Sequence, residues 1–464
     1  MKLPAICLVL FTLLFSIVQP AQALSRGDDG AAANQPMPNR QLELQADCTY
    51  NQTIADLLNE TTIEQYTDWI EKLSGEEPVL VRNGFAQILT RHTFAMFKGQ
   101  PFPAGYEYVL ETSQKYIPLV SQIEEDPFQI YSSIYGWYTA KNLVITYPGF
   151  GPNANQVVVF SAHLDSTSTQ SQTLAPGAED NASGSASMLE AVRLLRYYKF
   201  DRTIKVIWFT GEEQGLVGSE AYVSDHSTLD YVADVNLDMF GYDSNQDRCF
   251  ELHVGTMDAS DVIGVCFQDV IQDYSLDLSY DYIEDGATGA SDHASFWAVN
   301  VGAVEVLENY YIHNLPNGCV GQDRNPHYHQ ITDTIDKMYL PAAFDIHRAG
   351  LGTLAGLAGP LGRCFDSPPQ VQAAKTSSGI QLTWDALPEA GNYRIYRATN
   401  GCDGTFQRVA ETSEPGWLDT SVVGGTEYSY RVEAVSESGT CISSMSSCAT
   451  VLFIWRIILP VIIR

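Results

Sequence analysis

Short, fully apolar segments alternate with amphipathic ones through the middle of the chain. The clearest apolar runs are VVVF at 157–160 and IKVIWF at 204–209. Uninterrupted runs of this kind are typical of strands covered on both faces, as in parallel sheets with helices on either side. The alternation therefore predicts an α/β fold, a three-layer and mostly parallel sheet flanked by helices.

The individual elements follow from periodicity and from capping residues. We expect strands at 142–147, 157–162, 203–209, 234–238 and 302–306. We expect helices at 60–73, behind Thr61 or Thr62 as N-cap, and at 187–198, 216–223 and 262–274.

The composition and the pattern of predicted elements change after residue 363. Asp366-Ser-Pro-Pro369 has the composition of a linker. Short strand-like segments follow at 380–384, 393–397 and 428–435, separated by Gly, Asn, Ser and Thr. This pattern predicts a small all-β, immunoglobulin-like sandwich.

The net charge of the chain excludes some classes of binding partner. The 464 residues include 56 Asp and Glu against 26 Lys and Arg, for a net charge of −30. A nucleic-acid binder needs a basic face, and so does a protein held electrostatically on anionic lipid, so we expect neither partner. Because 45% of residues are hydrophobic, the chain has enough apolar material for a core and is not expected to be disordered.

The amino terminus predicts export. Lys2, the apolar run 6–18 and Ala21-Gln-Ala23 match the three parts of a secretory signal peptide at 1–23. We therefore expect a secreted protein, extracellular or periplasmic, with a spacer or pro-segment at 24–45. The apolar run is too short to span a bilayer, and no transmembrane helix is expected in the mature chain.

Cysteine usage agrees with an oxidising compartment. Removal of Cys7 with the signal leaves eight cysteines, for which disulfides are expected. Their connectivity is not readable from the sequence, and a bridge between Cys48 and Cys364, which bracket the central region, is one of the plausible pairings. An apolar tail at 453–464 is too short for a membrane span.

Acids and histidines recur where the predicted strands end. His163 and Asp165 follow one strand, Glu212 and Glu213 the next, and Asp238 a third. Ligand sites of open α/β sheets lie at the carboxyl ends of their strands. Nitrogen and carboxylate oxygen are the donors that hydrolytic metal sites use, and one acid of the Glu212–Glu213 pair would serve as general base.

Two loops add further candidates. Gly177-Ala-Glu-Asp180 opens a predicted helix, and Asp180, or less readily Glu179, would present a carboxylate that bridges two metals. In a later polar loop His329 is a candidate ligand with Asp333 beside it, and His327 competes for the role. Each motif is weak alone, but the ordered set predicts a metal centre.

In these motifs the sequence resembles the co-catalytic zinc aminopeptidases, the leucyl-aminopeptidase-like secreted enzymes related to glutamate carboxypeptidase and glutaminyl cyclase. The matching runs are SAHLDS, GAEDNASG, FTGEEQGLVGS, NLDM, SDHASF and HYHQITDT, all within 161–334. The resemblance implies a zinc peptidase domain over 46–364. The domain at 367–452 resembles fibronectin type III, with Trp384 in its core and Tyr428 as tyrosine corner.

The resemblance also implies roles for individual residues. Two Zn²⁺ would be bound, one by His163 and Asp238 and the other by Glu213 and His329, with Asp180 as the bridge. Glu212 would be the general base. Asp165 and Asp333 would orient the two histidines, Asp292 would support the site, and a cis peptide would follow Asp180.

The substrate pocket is less defined by these motifs. Met239, Tyr328 and Phe296 adjoin them and are candidates for lining an apolar pocket, although core packing explains them equally well. The tyrosine that binds the oxyanion in well-known members has no counterpart in this sequence. Thr288 stands nearest in place, and Tyr282 is a second candidate.

Several functions share this scaffold. The leading interpretation is a secreted aminopeptidase acting on peptides or proteins. A carboxypeptidase, a glutaminyl cyclase-like enzyme and a non-catalytic binding protein are the alternatives. For the C-terminal domain, attachment to a surface or polymer, spacing, and no part in catalysis all remain open. His92, His226, His253, His313 and His347 lack a partnered motif and are interpreted as surface or core residues.

Overall fold

The computed structural model describes residues 48–454 except 83, 99–102, 118, 314, 316–317 and 400. The expected signal peptide, the spacer and the apolar tail beyond residue 454 lie outside the described residues. Among the residues that are described, no helix combines the length and the apolar character needed to cross a bilayer.

Nine helices and nineteen strands make up this part of the chain. The helices are α1 Gln52–Asn59, α2 Ile63–Leu73, α3 Thr93–Phe97, α4 Ala104–Tyr116, α5 Ser183–Leu195, α6 Val217–Asp225, α7 Asp258–Asp273, α8 His293–Trp297 and α9 Leu340–Ala358. Short helical turns lie at Val120–Gln122, Ala178–Ala182 and Ile335–Lys337.

The strands are β1 Val79–Val81, β2 Gly84–Ala86, β3 Ile123–Ser132, β4 Gly136–Tyr147, β5 Gln156–His163, β6 Tyr198–Phe200, β7 Thr203–Phe209, β8 Asp230–Leu237, β9 Cys249–His253, β10 Ser279–Ile283, β11 Ala303–Glu308, β12 Pro360–Arg363, β13 Gln372–Lys375, β14 Ile380–Thr383, β15 Ala390–Ala398, β16 Gln407–Thr412, β17 Gly416–Asp419, β18 Thr426–Ser436 and β19 Ala449–Phe453.

An eight-stranded mixed sheet forms the centre, in the order β10-β9-β11-β8-β5-β7-β4-β3. The pairs β10–β9, β11–β8, β8–β5 and β5–β7 are parallel, whereas β11–β9, β7–β4 and β4–β3 are antiparallel. The predicted α/β class and the flanking helices are confirmed, with antiparallel additions near the edges.

Helices cover both faces of this sheet. On one face α1, α2, α5, α7 and α9 pack into the main hydrophobic core, and on the other α6 and α8 contribute to a smaller one. Helix α5 begins with small residues and lies against the central strands. A Cβ at Gly184 would come within 2.4 Å of the Leu237 carbonyl oxygen, so only glycine permits this approach.

Two antiparallel sheets follow the linker, β13-β14-β17 and β16-β15-β18-β19. A common apolar core that includes Trp384 and Tyr393 lies between them. The Val423 backbone N–H donates to the Tyr428 hydroxyl at 2.9 Å, which is the kind of contact that a tyrosine corner makes.

Four disulfides join the eight described cysteines. They pair Cys48 with Cys266, Cys249 with Cys319, Cys364 with Cys441, and Cys402 with Cys448. The plausible Cys48–Cys364 pairing is therefore wrong. Cys48 lies next to Cys266 of α7 because the first helices pack across the main core. Cys364 instead lies at the junction with the sandwich and bonds to Cys441 there.

Candidate metal centre

Three adjacent parallel strands bring the first candidates together. β5 ends at His163, β8 ends just before Asp238, and β7 leads through a short turn to Glu212 and Glu213. Since β8, β5 and β7 are parallel neighbours, their carboxyl ends meet at one edge of the sheet. The central strands thus set the positions of four functional side chains.

Asp180 lies between two histidines. Its Oδ1 is 3.3 Å from His163 Nε2, and its Oδ2 is 3.2 Å from His329 Nε2. The carboxylate is placed by the kinked turn Ala178–Ala182 before α5, and the Asp180–Asn181 peptide is cis, as the resemblance implied. Asp180 thereby belongs to two groups of donor atoms at once.

The two donor groups are compact. His163, Asp180 and Asp238 offer ligand atoms within 4.8 Å of one another, and so do Asp180, Glu213 and His329. Asp238 Oδ1 is 3.0 Å from His163 Nε2, and Glu213 Oε2 is 3.1 Å from His329 Nε2.

Electrostatics shows that these groups suit cations. Burial alone would lower the pKa of His329, but hydrogen bonds to Asp180 and Glu213 raise it to about 10. The second carboxylate oxygen of Glu213, Oε1, is buried and has no hydrogen-bond partner among the described residues. Imidazole nitrogens and carboxylates with unused lone pairs fit divalent metals such as zinc.

Glu212 lies beside both donor groups. A carboxylate oxygen of Glu212 and one of Glu213 lie within 4.8 Å of each other and of a His163 ring nitrogen. Two consecutive residues of an extended chain point to opposite sides. The backbone instead turns, with the Glu212 carbonyl accepting from Gly215 N–H at 2.7 Å, so both side chains reach the site. Burial raises the pKa of Glu212 well above its ordinary value.

Asp165 supports the site in a way that the sequence did not indicate. Its backbone carbonyl, at 2.9 Å, accepts from His163 Nδ1, whereas its carboxylate is 3.9 Å from that nitrogen. The carboxylate accepts from the Thr93 hydroxyl at 2.8 Å and from the Glu212 backbone N–H at 3.3 Å. Asp165 therefore orients the ring through its main chain and holds Glu212 through its side chain.

Asp333 also differs from expectation. Its two oxygens accept from the backbone N–H groups of Glu179 and Asp180, each at 3.1 Å, so it fixes the turn that carries Asp180. The Glu179 carboxylate accepts from the Tyr242 backbone N–H at 2.8 Å and from the Asn325 side chain. Glu179 is thus engaged away from the histidines, and Asp180 takes the bridging place.

A cavity opens beside the donor groups. Met239 and Tyr328 line it, as does Thr288. The other two pocket candidates lie elsewhere: Phe296 is fully buried and packs edge-on against Tyr231, and the Tyr282 hydroxyl donates to Asp261 at 2.6 Å.

Two histidines hold the Thr288 peptide group. Its N–H donates to His253 Nδ1 at 3.1 Å, and its carbonyl accepts from His293 Nε2 at 2.9 Å. Burial lowers the pKa of both rings to about 3, so both are neutral near pH 7. Sequence reasoning gave His253 no role because its partner is 35 residues away.

The same geometry argues against a metal at a second cluster, formed by Glu251, His253 and His313. His253 Nδ1 accepts from Thr288, so in the neutral ring Nε2 carries the proton and donates to Glu251 at 2.9 Å. His253 therefore has no free lone pair for a cation.

Asp292 lies just before α8 and is fully buried. Neither carboxylate oxygen has a hydrogen-bond partner among the described residues, and burial raises its pKa to about 7. The nearby His163 and the acids Asp165 and Asp238 also influence this pKa, and Asp292 belongs to neither of the two donor groups.

Comparison with known proteins agrees with this geometry. Residues 142–351 match peptidase family M28, and all five donor residues and Glu212 lie within the matched segment. Over 195 residues the chain is 34% identical to a probable leucine aminopeptidase of Arthroderma otae, covering 40% of this chain and 49% of that protein.

Two further similarities concern bacterial proteins. Aminopeptidase YwaD of Bacillus subtilis is 29% identical over 184 residues, covering 39% of this chain and 36% of that one. The crystal structure of Legionella pneumophila LapA aminopeptidase superposes with a TM-score of 0.51 at 21% identity, over 68% of this chain and 76% of that chain, and shares the fold. The chain spans about half the length, or less, of the two curated relatives from Arthroderma otae and Bacillus subtilis.

Proposed function

We propose that the chain is an aminopeptidase of the M28 type that binds two zinc ions and releases N-terminal residues from peptides. The observation that carries the proposal is the shared position of Asp180, within 3.3 Å of His163 and 3.2 Å of His329. One carboxylate between two donor groups suits a pair of cations. The names of the curated relatives support aminopeptidase activity.

The roles of the donors follow from this arrangement. His163 and Asp238 would hold one zinc, Glu213 and His329 the other, and Asp180 both. Bound zinc would lower the pKa of a water toward about 7 and polarise the scissile carbonyl.

The chain's own residues would handle the proton. Glu212 accepts it from the attacking water and donates it to the departing amine. Asp165 keeps the Glu212 backbone in place and directs the second nitrogen of His163 toward the donors. Thr288 lines the cavity, two neutral histidines hold its peptide group, and its hydroxyl would serve as the oxyanion donor.

The proposal includes secretion. All eight cysteines between residues 48 and 454 are paired, which is typical of proteins from oxidising compartments. It also includes a peptidase domain over 46–364 and a fibronectin type III-like domain over 367–452, with attachment to a surface or polymer as a role for the latter.

Metal content and product analysis test the proposal together. Protein purified without chelators should contain two zinc ions per chain and should release free N-terminal amino acids from peptides. Protein without bound metal would overturn it. Release of C-terminal residues would instead indicate a carboxypeptidase, and formation of pyroglutamate a cyclase.

Glu212→Gln tests the proton-transfer role. Loss of a general base lowers kcat by about 10²- to 10⁴-fold, while zinc content should stay unchanged. The exposed neighbour variant Glu220→Gln is the control and should retain wild-type kcat on aminoacyl-p-nitroanilides. Activity of Glu212→Gln near that of the control would contradict the assignment.

A further inference from the structure

The cavity beside the donor groups contains an acid that the proposed mechanism does not use. Glu305, on β11, lines this cavity and is only 2% exposed. Its Oε2 atom is buried and has no hydrogen-bond partner among the described residues. A buried carboxylate oxygen without a partner is costly, so its retention in a cavity points to a ligand.

The neighbours of Glu305 do not neutralise it. His293 Nε2 is 3.5 Å from Oε2, but its proton is given to the Thr288 carbonyl at 2.9 Å, and burial keeps the ring neutral. Burial and the carboxylates of Asp238 and Glu251 raise the pKa of Glu305 well above its ordinary value. His293 therefore gives Oε2 no positive charge.

The position of Glu305 along β11 sets its depth. Strand β11 is parallel to β8, and Val306 pairs with Leu237, so Leu307 lies level with Asp238. Glu305 lies two residues earlier and, like Leu307, lines the cavity. Residues i and i+2 of a strand share a face and are about 7 Å apart. The Glu305 Cα therefore lies about 7 Å farther from the carboxyl end of β11 than the level of Asp238.

The walls above Glu305 are apolar and aromatic. Leu307, Met239, Tyr310 and Tyr311 line the same cavity. Such walls pack against methylene groups, and tyrosine rings also attract cations. A side chain with an apolar stem and a positive end would match both the walls and the base.

From this arrangement we infer that the cavity binds the side chain of a substrate's N-terminal residue and that Glu305 selects lysine or arginine there. The inference rests on the proposed aminopeptidase function, because the donor groups define where the scissile bond lies. Lysine carries its ammonium on a four-carbon stem and arginine its guanidinium on a similar one. Either side chain would place its positive charge at Glu305, with its methylene groups packed against the apolar and aromatic walls of the cavity.

Turnover of aminoacyl-p-nitroanilides with Lys, Arg, Leu and Gln tests the inference. The zinc-loaded wild type should favour Lys or Arg over Leu in kcat/KM by at least about 10-fold. In Glu305→Gln the ratio of Lys to Leu should fall by about 100-fold, since a desolvated charge pair is lost. Glu305→Met keeps a side chain of similar length without the carboxylate and should lower the ratio of Lys to Leu by the same factor. It replaces Glu305→Gln in the test if that variant folds poorly.

Asp234→Asn is the matched control. Asp234 is also fully buried, has a partnerless carboxylate oxygen and lies on neighbouring β8, but it does not line the cavity. Its variant should keep the wild-type ratio of Lys to Leu. An unchanged ratio in both Glu305 variants, or a wild-type preference for Leu or Gln, would overturn the inference.

Binding of L-lysinol and L-leucinol to the zinc-loaded protein, measured by calorimetry, separates the inference from the proposed function. Tighter lysinol binding that Glu305→Gln abolishes supports the inference even if no peptide is cleaved, in which case only the proposed function fails. Equal binding of both alcohols by wild type and variant overturns the inference, whatever the activity.

Discussion

Arg91 is fully buried next to the candidate site. Its guanidinium group donates hydrogen bonds only to main-chain carbonyls among the described residues. It donates to Leu164 at 2.8 Å, to Leu73 at 2.6 Å, to Pro176 at 2.7 Å and to Gly177 at 2.8 Å. These carbonyls belong to the segment after β5, the end of α2 and the loop that leads to Asp180. One guanidinium thus joins three parts of the chain that shape the metal centre.

Replacing Arg91 should therefore weaken the fold strongly. Arg91→Met leaves three carbonyls without a donor, those of Leu164, Leu73 and Pro176, whereas Gly177 keeps the Ala182 N–H. Each buried unsatisfied group costs about 1–3 kcal/mol, so the free energy of unfolding should fall by at least about 3 kcal/mol. Urea unfolding measures this change. Arg408→Met, at an exposed arginine of the sandwich, should change stability by less than about 0.5 kcal/mol. A similarly small effect at Arg91 would show that its guanidinium does not hold these segments together.

At the scale of elements, the central strands were predictable and the supporting segments were not. The apolar runs identified β5 and β7 closely, because strands buried on both faces leave a continuous signal. The predicted helix at 187–198 begins earlier, at Ser183, since small residues such as Gly184 hide the start of α5. Residues 91–93 carry no motif, and their contacts with Asp165 and Leu164 arise only from tertiary packing.

The candidate site likewise has features that the sequence predicted and features that it did not. His163, Glu213 and Asp238 lie at or after the ends of strands, and Asp180 and His329 lie in loops with motifs of their own, so the order of the donors along the chain was readable from the sequence. The turn that brings Glu212 and Glu213 to the same side, and the use of Asp333 on backbone N–H groups, depend on main-chain geometry that residue types do not encode. The sheet order was likewise unreadable, because strands distant in sequence pair with one another.

Helix α9 carries a buried histidine with a consequence for acid stability. His347 is fully buried, stacks on Tyr66 at 5.0 Å between ring centroids, and has no hydrogen-bond partner for either nitrogen among the described residues. Burial, with Arg348 and Arg193 nearby, lowers its pKa from 6.5 to about 3. Between these values the unfolded chain binds a proton that the folded chain does not.

The stabilisation that neutral His347 provides is thus complete above pH 6.5 and is lost as the pH falls toward 3. His347→Leu removes this linkage. Between pH 7 and pH 4.5 the wild type should lose about 2–3 kcal/mol relative to the variant, at 1.36 kcal/mol per pKa unit. Urea unfolding of both proteins at the two pH values gives the difference. If the difference in unfolding free energy between the wild type and His347→Leu is the same at both pH values, His347 is not neutral in the folded protein.

At the scale of the whole molecule, disulfides connect distant parts of the chain. Cys48 and Cys266 are separated by 218 residues and tie the segment before α1 to α7. Cys402 and Cys448, 46 residues apart, lie within the sandwich. A bridge that closes a long loop restricts the unfolded chain most.

Removal of the long-loop bridge should destabilise the region of the metal centre. The double variant Cys48→Ser/Cys266→Ser should lower its unfolding free energy by about 2–5 kcal/mol. Loss of peptidase activity with increasing urea reports on this region. The pair Cys402→Ser/Cys448→Ser is the control and should leave the midpoint of activity loss unchanged. Equal midpoints for both double variants would contradict the expectation.

The sandwich contacts the rest of the protein at one end of α5. Ile442 N–H donates to the Arg196 carbonyl at 3.1 Å, just past the last turn of that helix, and Cys364 bonds to Cys441 close by. Asp180 lies before the first turn, and thirteen helical residues span about 20 Å. A molecule held by its sandwich would consequently keep about 20 Å of helix between its point of attachment and Asp180.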